Sequence, residues 1–195
     1  PPCRPWLAKR WRIAPVRPSS SSTPLCEFDD LVLWVVPAVL NDRLVAAGVA
    51  PAPLDMSTGD FSSLPDDFTY VFHAAVDPGH DGWTRCVETN AHNSGELLYH
   101  CRAAKGFVLC STGSVYGYQG QRPLTEADPP GVPLRANYSF SKVAAESVCG
   151  WIARHHGIPL TVIRICSTYG PEGGAPADRL EAILARRPIR LHPDN

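Results

Sequence analysis

No glycine occurs before Gly48 in this chain of 195 residues. Long apolar runs are missing too. Nothing approaches the roughly 18 residues of a membrane span, and the most apolar stretch, LVLWVVPAVL at 31–40, is broken by Pro37. The first residues, PPCRPWLAKRWR, lack the apolar segment of a secretory leader. Neither sign of charge dominates: 18 basic against 19 acidic residues leave −1. That balance argues against a nucleic-acid or membrane partner. Neither CxxC nor HExxH occurs, so no metal site is expected. The seven cysteines are odd in number and irregularly spaced, which suits reduced thiols in a cytoplasmic protein better than disulfides. Cys101, Cys110 and Cys149 fall in apolar segments and read as small buried hydrophobes. His155 and His156, near a helix end, read as dipole-compensating residues. There are no internal repeats.

What is present is an alternation. The 20 prolines cluster in the first 53 residues and at 123–133. APVRPSSSSTP, 14–24, reads as a loop. NDRLVAAG, 41–48, reads as the end of a short helix, and VAPAPLD, 49–55, as a short strand weakened by its prolines. From residue 68 the pattern sharpens. FTYVFHAAV (68–76), FVLCST (107–112) and LTVIRIC (160–166) are continuous apolar runs, expected as strands buried on both faces. Between them, 88–106 predicts a helix with Leu97, Leu98 and Cys101 on one face and Gly106 as its stop. A Gly/Pro-rich loop follows at 117–136. A second helix is expected over Ser139–His155, with Phe140, Ala144, Val148 and Trp151 as its apolar stripe and Gly157-Ile158-Pro159 as its end. DRLEAILARR begins a last helix near Asp178. Apolar strands alternating with helices predict α/β architecture, a doubly wound parallel sheet. The ligand crevice of such a sheet lies at the carboxyl ends of its strands, which singles out His73, Ser111, Thr112 and Ser167.

Within the second helix, Tyr138 and Lys142 stand four apart, on one edge and away from the expected stripe. A free tyrosine titrates near 10 and is a poor acid–base group at neutral pH; a neighbouring ammonium favours the phenolate and lowers that value. Ser111 and Thr112, just past a strand, are placed to bond the same substrate oxygen. Taken alone, the YxxxK spacing also describes an exposed pair opening a helix.

Four segments in order, HAA at 73–75, LCSTGSVYG at 109–117, YSFSK at 138–142 and RICSTYGP at 164–171, resemble the extended short-chain dehydrogenase/reductase family, also called NAD-dependent epimerase/dehydratase. The resemblance covers roughly residues 42–195 and implies a Rossmann-like fold. It implies Tyr138 as catalytic acid/base, Lys142 as the residue that lowers the tyrosine's pKa and holds the nicotinamide ribose, and Thr112 as the catalytic hydroxyl beside Ser111. Cofactor contacts are implied for His73, Ala74 and Ala75, for Asp55 at the adenine, and for Asn90, which would open its helix and steady the active-site backbone. The stretch from Arg164 through Cys166 to Pro171 would pass the nicotinamide. Asp55 and Asn90 can also be read as helix caps, and Thr112 and Ser114 as hydroxyls that satisfy loop backbone groups.

The family opens on a strand and a GxxGxxG loop, and this chain has no such loop before Gly48. WRIAPVRPSSSS, 11–22, resembles the family's second strand and the loop after it. The expectation is therefore of a doubly wound sheet lacking its first strand and phosphate loop, and binding dinucleotide poorly by itself. Residues 1–170 would form a partial NAD(P)-binding domain and 171–195 the start of a truncated substrate lobe. The family's sugar-nucleotide dehydratases carry acids where Gly113 and Ser114 stand here, so an epimerase or reductase is implied. Arg17 follows the candidate second strand with no acid beside it, which points to NADP over NAD. The implied substrate is a small molecule with a hydroxyl or ketone carbon, a nucleotide sugar being one candidate. A homodimer through a helix bundle is implied by the resemblance. The alternative is a non-catalytic relative that senses nucleotide or binds a partner.

Overall fold

The structure, a computed structural model, describes residues 32–34, 50–52, 54–117, 120–131, 136–166 and 175–188. In chain order the elements are β1 (Val32–Trp34), β2 (Ala50–Ala52), a 3-10 turn (Met56–Thr58), β3 (Tyr70–His73), α1 (Trp83–Val87), a π-helical turn (Glu88–His92), α2 (Asn93–His100), β4 (Gly106–Thr112), a 3-10 turn (Gly113–Val115), α3 (Asn137–His156), β5 (Leu160–Ile165) and α4 (Ala175–Leu184). They fall into two compact units, one of residues 1–52 with 167–195 and one of residues 53–166. In the first, β1 and β2 pair in parallel. The second holds a parallel sheet in the order β3-β4-β5. Parallel neighbours require crossovers: α1 to α2 supplies one, α3 the other. The parallel α/β arrangement agrees with the sequence.

One face of this sheet is covered by α1, α2 and α3. Phe107, Leu109 and Ser111 of β4 are buried, as are Val71 and His73 of β3. The expectation of strands buried on both faces fails here. Tyr70 and Phe72 alternate outward and are 56% and 63% exposed. β5 is the outer strand of the described sheet, half-buried along its length with Ile165 exposed. Period-two alternation therefore decides burial, even in runs that read as uniformly apolar.

The helices also differ from expectation. The first starts at Trp83, not 88, and ends at His100, so Gly106 opens β4 rather than stopping a helix. Leu97, Leu98 and Cys101 are fully buried, as their spacing requires. α3 runs as expected to within two residues and ends on Gly157, whose positive φ of 69° suits the left-handed cap. Its inward face, however, is Ser141, Lys142, Ala145, Cys149 and Ala153, whereas Phe140 and Trp151 are 50% and 59% exposed. The reason is space. A Cβ at Gly95 of α2 would lie 2.7 Å from Val148 Cγ1 and 2.9 Å from Ile152 Cδ1. Gly95 thus makes room for Val148 and Ile152 of α3, while Phe140 and Trp151 lie on the outward side of that helix.

The last helix begins at Ala175 rather than Asp178. The helix end read at 41–48, the strand and loop at 11–22 with Arg17, and Ser167 and Tyr169 to Pro171 lie outside the described residues. Among the described residues no helix is long and apolar enough to cross a membrane.

Gly95→Ala is expected to destabilise the protein by about 1–3 kcal/mol through overpacking, although alanine is the better helix former by about 1 kcal/mol. Denaturant unfolding checks this: an equally or more stable variant would contradict the close α2–α3 approach.

Candidate active site

The carboxyl ends of β3 and β4 and the first turns of α3 meet. Thr112, the last residue of β4, is buried, and its hydroxyl accepts from the Ser114 amide at 3.2 Å, capping the 3-10 turn. Tyr138, in the first turn of α3, is half-buried, with its phenol close enough to the Thr112 side chain to be influenced by it. Burial pushes the phenol above its ordinary value, and the Thr112 contact works against that. The expectation that Tyr138 would be brought below its ordinary value is thus not met in this structure, because desolvation outweighs the opposing influences.

Lys142, one turn on, is 2% exposed. Burial holds its ammonium below the ordinary lysine value, while Cys110, Cys149, Glu146 and Cys86 pull the other way. Among the described residues, no hydrogen bond or ion pair is made by this ammonium. His73, at the end of β3, is buried and shares a 2.8 Å hydrogen bond between its Nε2 and Ser94 Oγ. Burial, aided by the Lys142 charge, pushes His73 down to about 3, so it is neutral at physiological pH.

Asn90 does not open a helix. It sits in the π-helical turn, 1% exposed, in a continuous helical run. Its Oδ1 accepts from the Asp77 amide at 2.7 Å, and its Nδ2 donates to the Asp77 carbonyl at 2.8 Å and to Ser141 Oγ at 2.8 Å. Ser141 in turn donates to the Tyr138 carbonyl at 2.8 Å. One amide thus ties the segment after His73-Ala74-Ala75 to the turn carrying Tyr138. π turns recur at functional sites, and this one aims Asn90. Ala74 is exposed and Ala75 half-buried. Asp55 is exposed and caps the Met56–Thr58 turn, its Oδ1 accepting from Ser57 N at 2.9 Å and Ser57 Oγ at 2.8 Å.

Ser111 and Arg164 face one another across β4 and β5 and share Glu146 of α3. Ser111 donates to Glu146 Oε1; Arg164 donates from Nε at 3.1 Å and from Nη2 at 2.8 Å. Arg164 is therefore turned to Glu146. Cys166 is exposed, and a Cβ at Gly113 would lie 2.9 Å from its Sγ. The sequence reading missed Glu146, Ser141, Cys86 and Asp77. Glu146 had a signal: it continues the row Tyr138, Lys142 by one further i+4 step. Among the described residues no cluster of His, Cys, Asp or Glu could hold a metal ion.

Comparison with known proteins places this geometry. The model of the NAD dependent epimerase/dehydratase family matches residues 54–192. The uncharacterized UDP-glucose epimerase YtcB of Bacillus subtilis is 32% identical over 125 residues, covering 60% of this chain and 38% of that protein. UDP-glucuronate 4-epimerase 3 of Arabidopsis thaliana is 30% identical over 113 residues, 54% of this chain and 26% of that one. The chain thus spans less than half the length of these relatives. A crystal structure of UDP-glucuronic acid 4-epimerase from Bacillus cereus with NAD superposes with a TM-score of 0.66 at 23% identity, covering 82% of this chain and 56% of that one. A dTDP-glucose 4,6-dehydratase from Streptomyces venezuelae, with NAD and DAU bound, gives 0.69 at 18%, covering 83% and 54%. These likenesses show the Rossmann-like fold.

The buried His73 sets an acid limit on this unit. Its folded value lies below the ordinary one, so the stability it brings is complete above pH 6.5 and is lost as pH falls towards 3. Between pH 7 and 5 the protein should lose about 2 kcal/mol more than His73→Gln. Denaturant unfolding at the two pH values reads the difference, and equal losses would contradict a neutral buried His73.

Proposed function

Because the chain belongs to the NAD dependent epimerase/dehydratase family, we propose that it carries the acid–base centre of an NAD(P)-dependent epimerase or reductase acting on a hydroxyl-bearing or ketone carbon, that of a nucleotide sugar. One observation carries the reading: Lys142 as a residue is 2% exposed, and its ammonium makes no hydrogen bond or ion pair among the described residues. Removing an ammonium from water without a partner is unfavourable by several kcal/mol. A fold that accepts this keeps the charge for something outside itself, and neutral ribose hydroxyls are suitable acceptors. The other residues fit the group: Ala74 and Ala75 present no bulky side chain at the end of β3, and Asn90 fixes the backbone that follows them. When bound, the nicotinamide supplies the hydride chemistry.

The remaining steps belong to the chain. Tyr138, held neutral by burial, gives a proton to a substrate carbonyl oxygen or, in the reverse direction, takes one from the hydroxyl. Thr112 bonds the same oxygen and steadies the charge that develops there. Lys142 holds the ribose, and its charge favours the phenolate once proton transfer begins. His73 stays uncharged beside it, so that pocket holds one cation. The relatives' names, UDP-glucose and UDP-glucuronate epimerases, support a nucleotide sugar. Structural relatives carry NAD in one case and NADPH in another, and the chain takes one of these two. Residues 1–170 would belong to the cofactor domain and 171–195 to the substrate lobe. The exposed Phe140 and Trp151 of α3, with Tyr99 of α2, support a homodimer through these helices.

Lys142→Met separates this reading from a structural lysine by sign. The ligand-free protein should gain roughly 1–3 kcal/mol, since a buried charge is replaced by an apolar side chain, while NAD(H) or NADP(H) affinity in the protein carrying this chain falls. A destabilised variant would count against it. In that same protein, Tyr138→Phe should lower turnover about 100-fold or more with cofactor binding nearly intact; equal loss of both would contradict its role as proton donor.

A further inference from the structure

Glu146 is the most heavily used carboxylate near the site. Its side chain is 11% exposed and that of Arg164 18%, so this pair is largely withdrawn from water. Arg164 meets it with Nε at 3.1 and 3.2 Å from the two oxygens and Nη2 at 2.8 Å from Oε2. Such bidentate, desolvated pairs are geometrically stiff. The Ser111 hydroxyl donates to Oε1 of the same carboxylate. Arg164 continues outward: Nη1 donates to the Tyr116 hydroxyl at 2.7 Å and to the Asp128 carbonyl at 3.4 Å, and the guanidinium lies 4.7 Å from the centre of the Tyr116 ring. Tyr116 donates to the Thr125 carbonyl at 3.0 Å. Glu146 thereby holds the residue before Thr112 directly and, through Arg164, the loop after it. Thr112 is fixed between two segments that both depend on this carboxylate, while Tyr138 and Glu146 ride on the same helix.

We propose that Glu146 is the positioning residue of the Thr112–Tyr138 pair, acting through Ser111 and Arg164 to keep the Thr112 hydroxyl on the Tyr138 phenol. The inference rests on the reading of those two residues as the acid–base pair. The positioning role concerns two side chains of this chain, so its test needs neither substrate nor cofactor.

The test is the titration of Tyr138 in the full chain, followed by NMR with ring-labelled tyrosine and assigned by the signal lost in Tyr138→Phe, with circular dichroism confirming folding across the range. Thr112→Val removes the hydrogen-bonding partner and should raise the midpoint by about 0.5–1 unit, the worth of one hydrogen bond. Glu146→Gln should raise it at least half as far. Glu146→Asp, which keeps the charge, should restore part of the shift. Thr112→Val with Glu146→Gln should move no further than Thr112→Val alone. Should Glu146→Gln not fold, Glu146→Gln with Arg164→Gln leaves no unpaired charge and is read in its place. A Tyr138 midpoint unmoved in the Glu146 variants, or shifts that add in the double variant, would overturn the proposal. A midpoint unmoved by Thr112→Val would overturn the pair itself, and the positioning role with it, which distinguishes the two failures.

Discussion

α3 packs on β4 and α2, and its most buried residues are several small ones and one long one. Ser141, Ala145, Cys149 and Ala153 fill that contact, and Lys142 threads between them to end 2% exposed. A helix repeats every 3.6 residues, so Tyr138 and Glu146 flank Lys142 one turn to either side. The site is this packing seen from its end. Tyr138 reaches the strand terminus where Thr112 caps a turn, Lys142 is sealed beneath it, and Glu146 meets Ser111 and Arg164 on the neighbouring strands. Gly95 permits the approach, since a Cβ there would strike Val148 and Ile152.

The electrostatics of this unit follow from the same burial. Water is excluded, and groups able to shed charge do so: His73 is pushed down to about 3, and Cys101 and Cys149 are each pushed up to about 12. The charges that persist are either matched or unmatched. Glu146 and Arg164 match one another. Lys142 has no hydrogen-bonded or ion-paired partner among the described residues, although Glu146 one turn on favours its charge. By contrast, the Arg122–Asp128 pair, at 2.7 Å, is on an open loop where the two side chains are 52% and 18% exposed, and surface pairs of that sort contribute little.

Much of this was legible beforehand. The strand cores, the order of elements and the shared helix edge of Tyr138 and Lys142 followed from apolar runs, Gly157 and the i+4 spacing, whereas Thr112 was singled out by its place after a strand and by resemblance. Of the readings that failed, three show the physical reason most directly. Phe140 and Trp151 were taken for a core stripe because size and hydrophobicity normally mark an interior, but they lie on the outward side of α3, while Val148 and Ile152 of the same helix face Gly95. β3 was taken as doubly buried because Tyr70 and Phe72 are apolar, yet hydrophobicity does not say which face is covered. Asn90 was assigned to a helix start, whereas a π-helical turn in mid-run carries it, and such turns leave little mark in a sequence.

The amino-acid sequence by itself determined the alternating α/β pattern, the YxxxK row and the family that those residues resemble, because periodicity and spacing are local properties of a chain. The tertiary structure alone decided which of those groups keep their charge. Lys142 reads as an ordinary lysine until the fold buries it near His73, Cys86 and Cys110, and Glu146 as a solvated helix acid until Ser111 and Arg164 arrive from separate strands. Both outcomes depend on residues distant in sequence sharing a space with little water, and desolvation acts only after folding has brought them together.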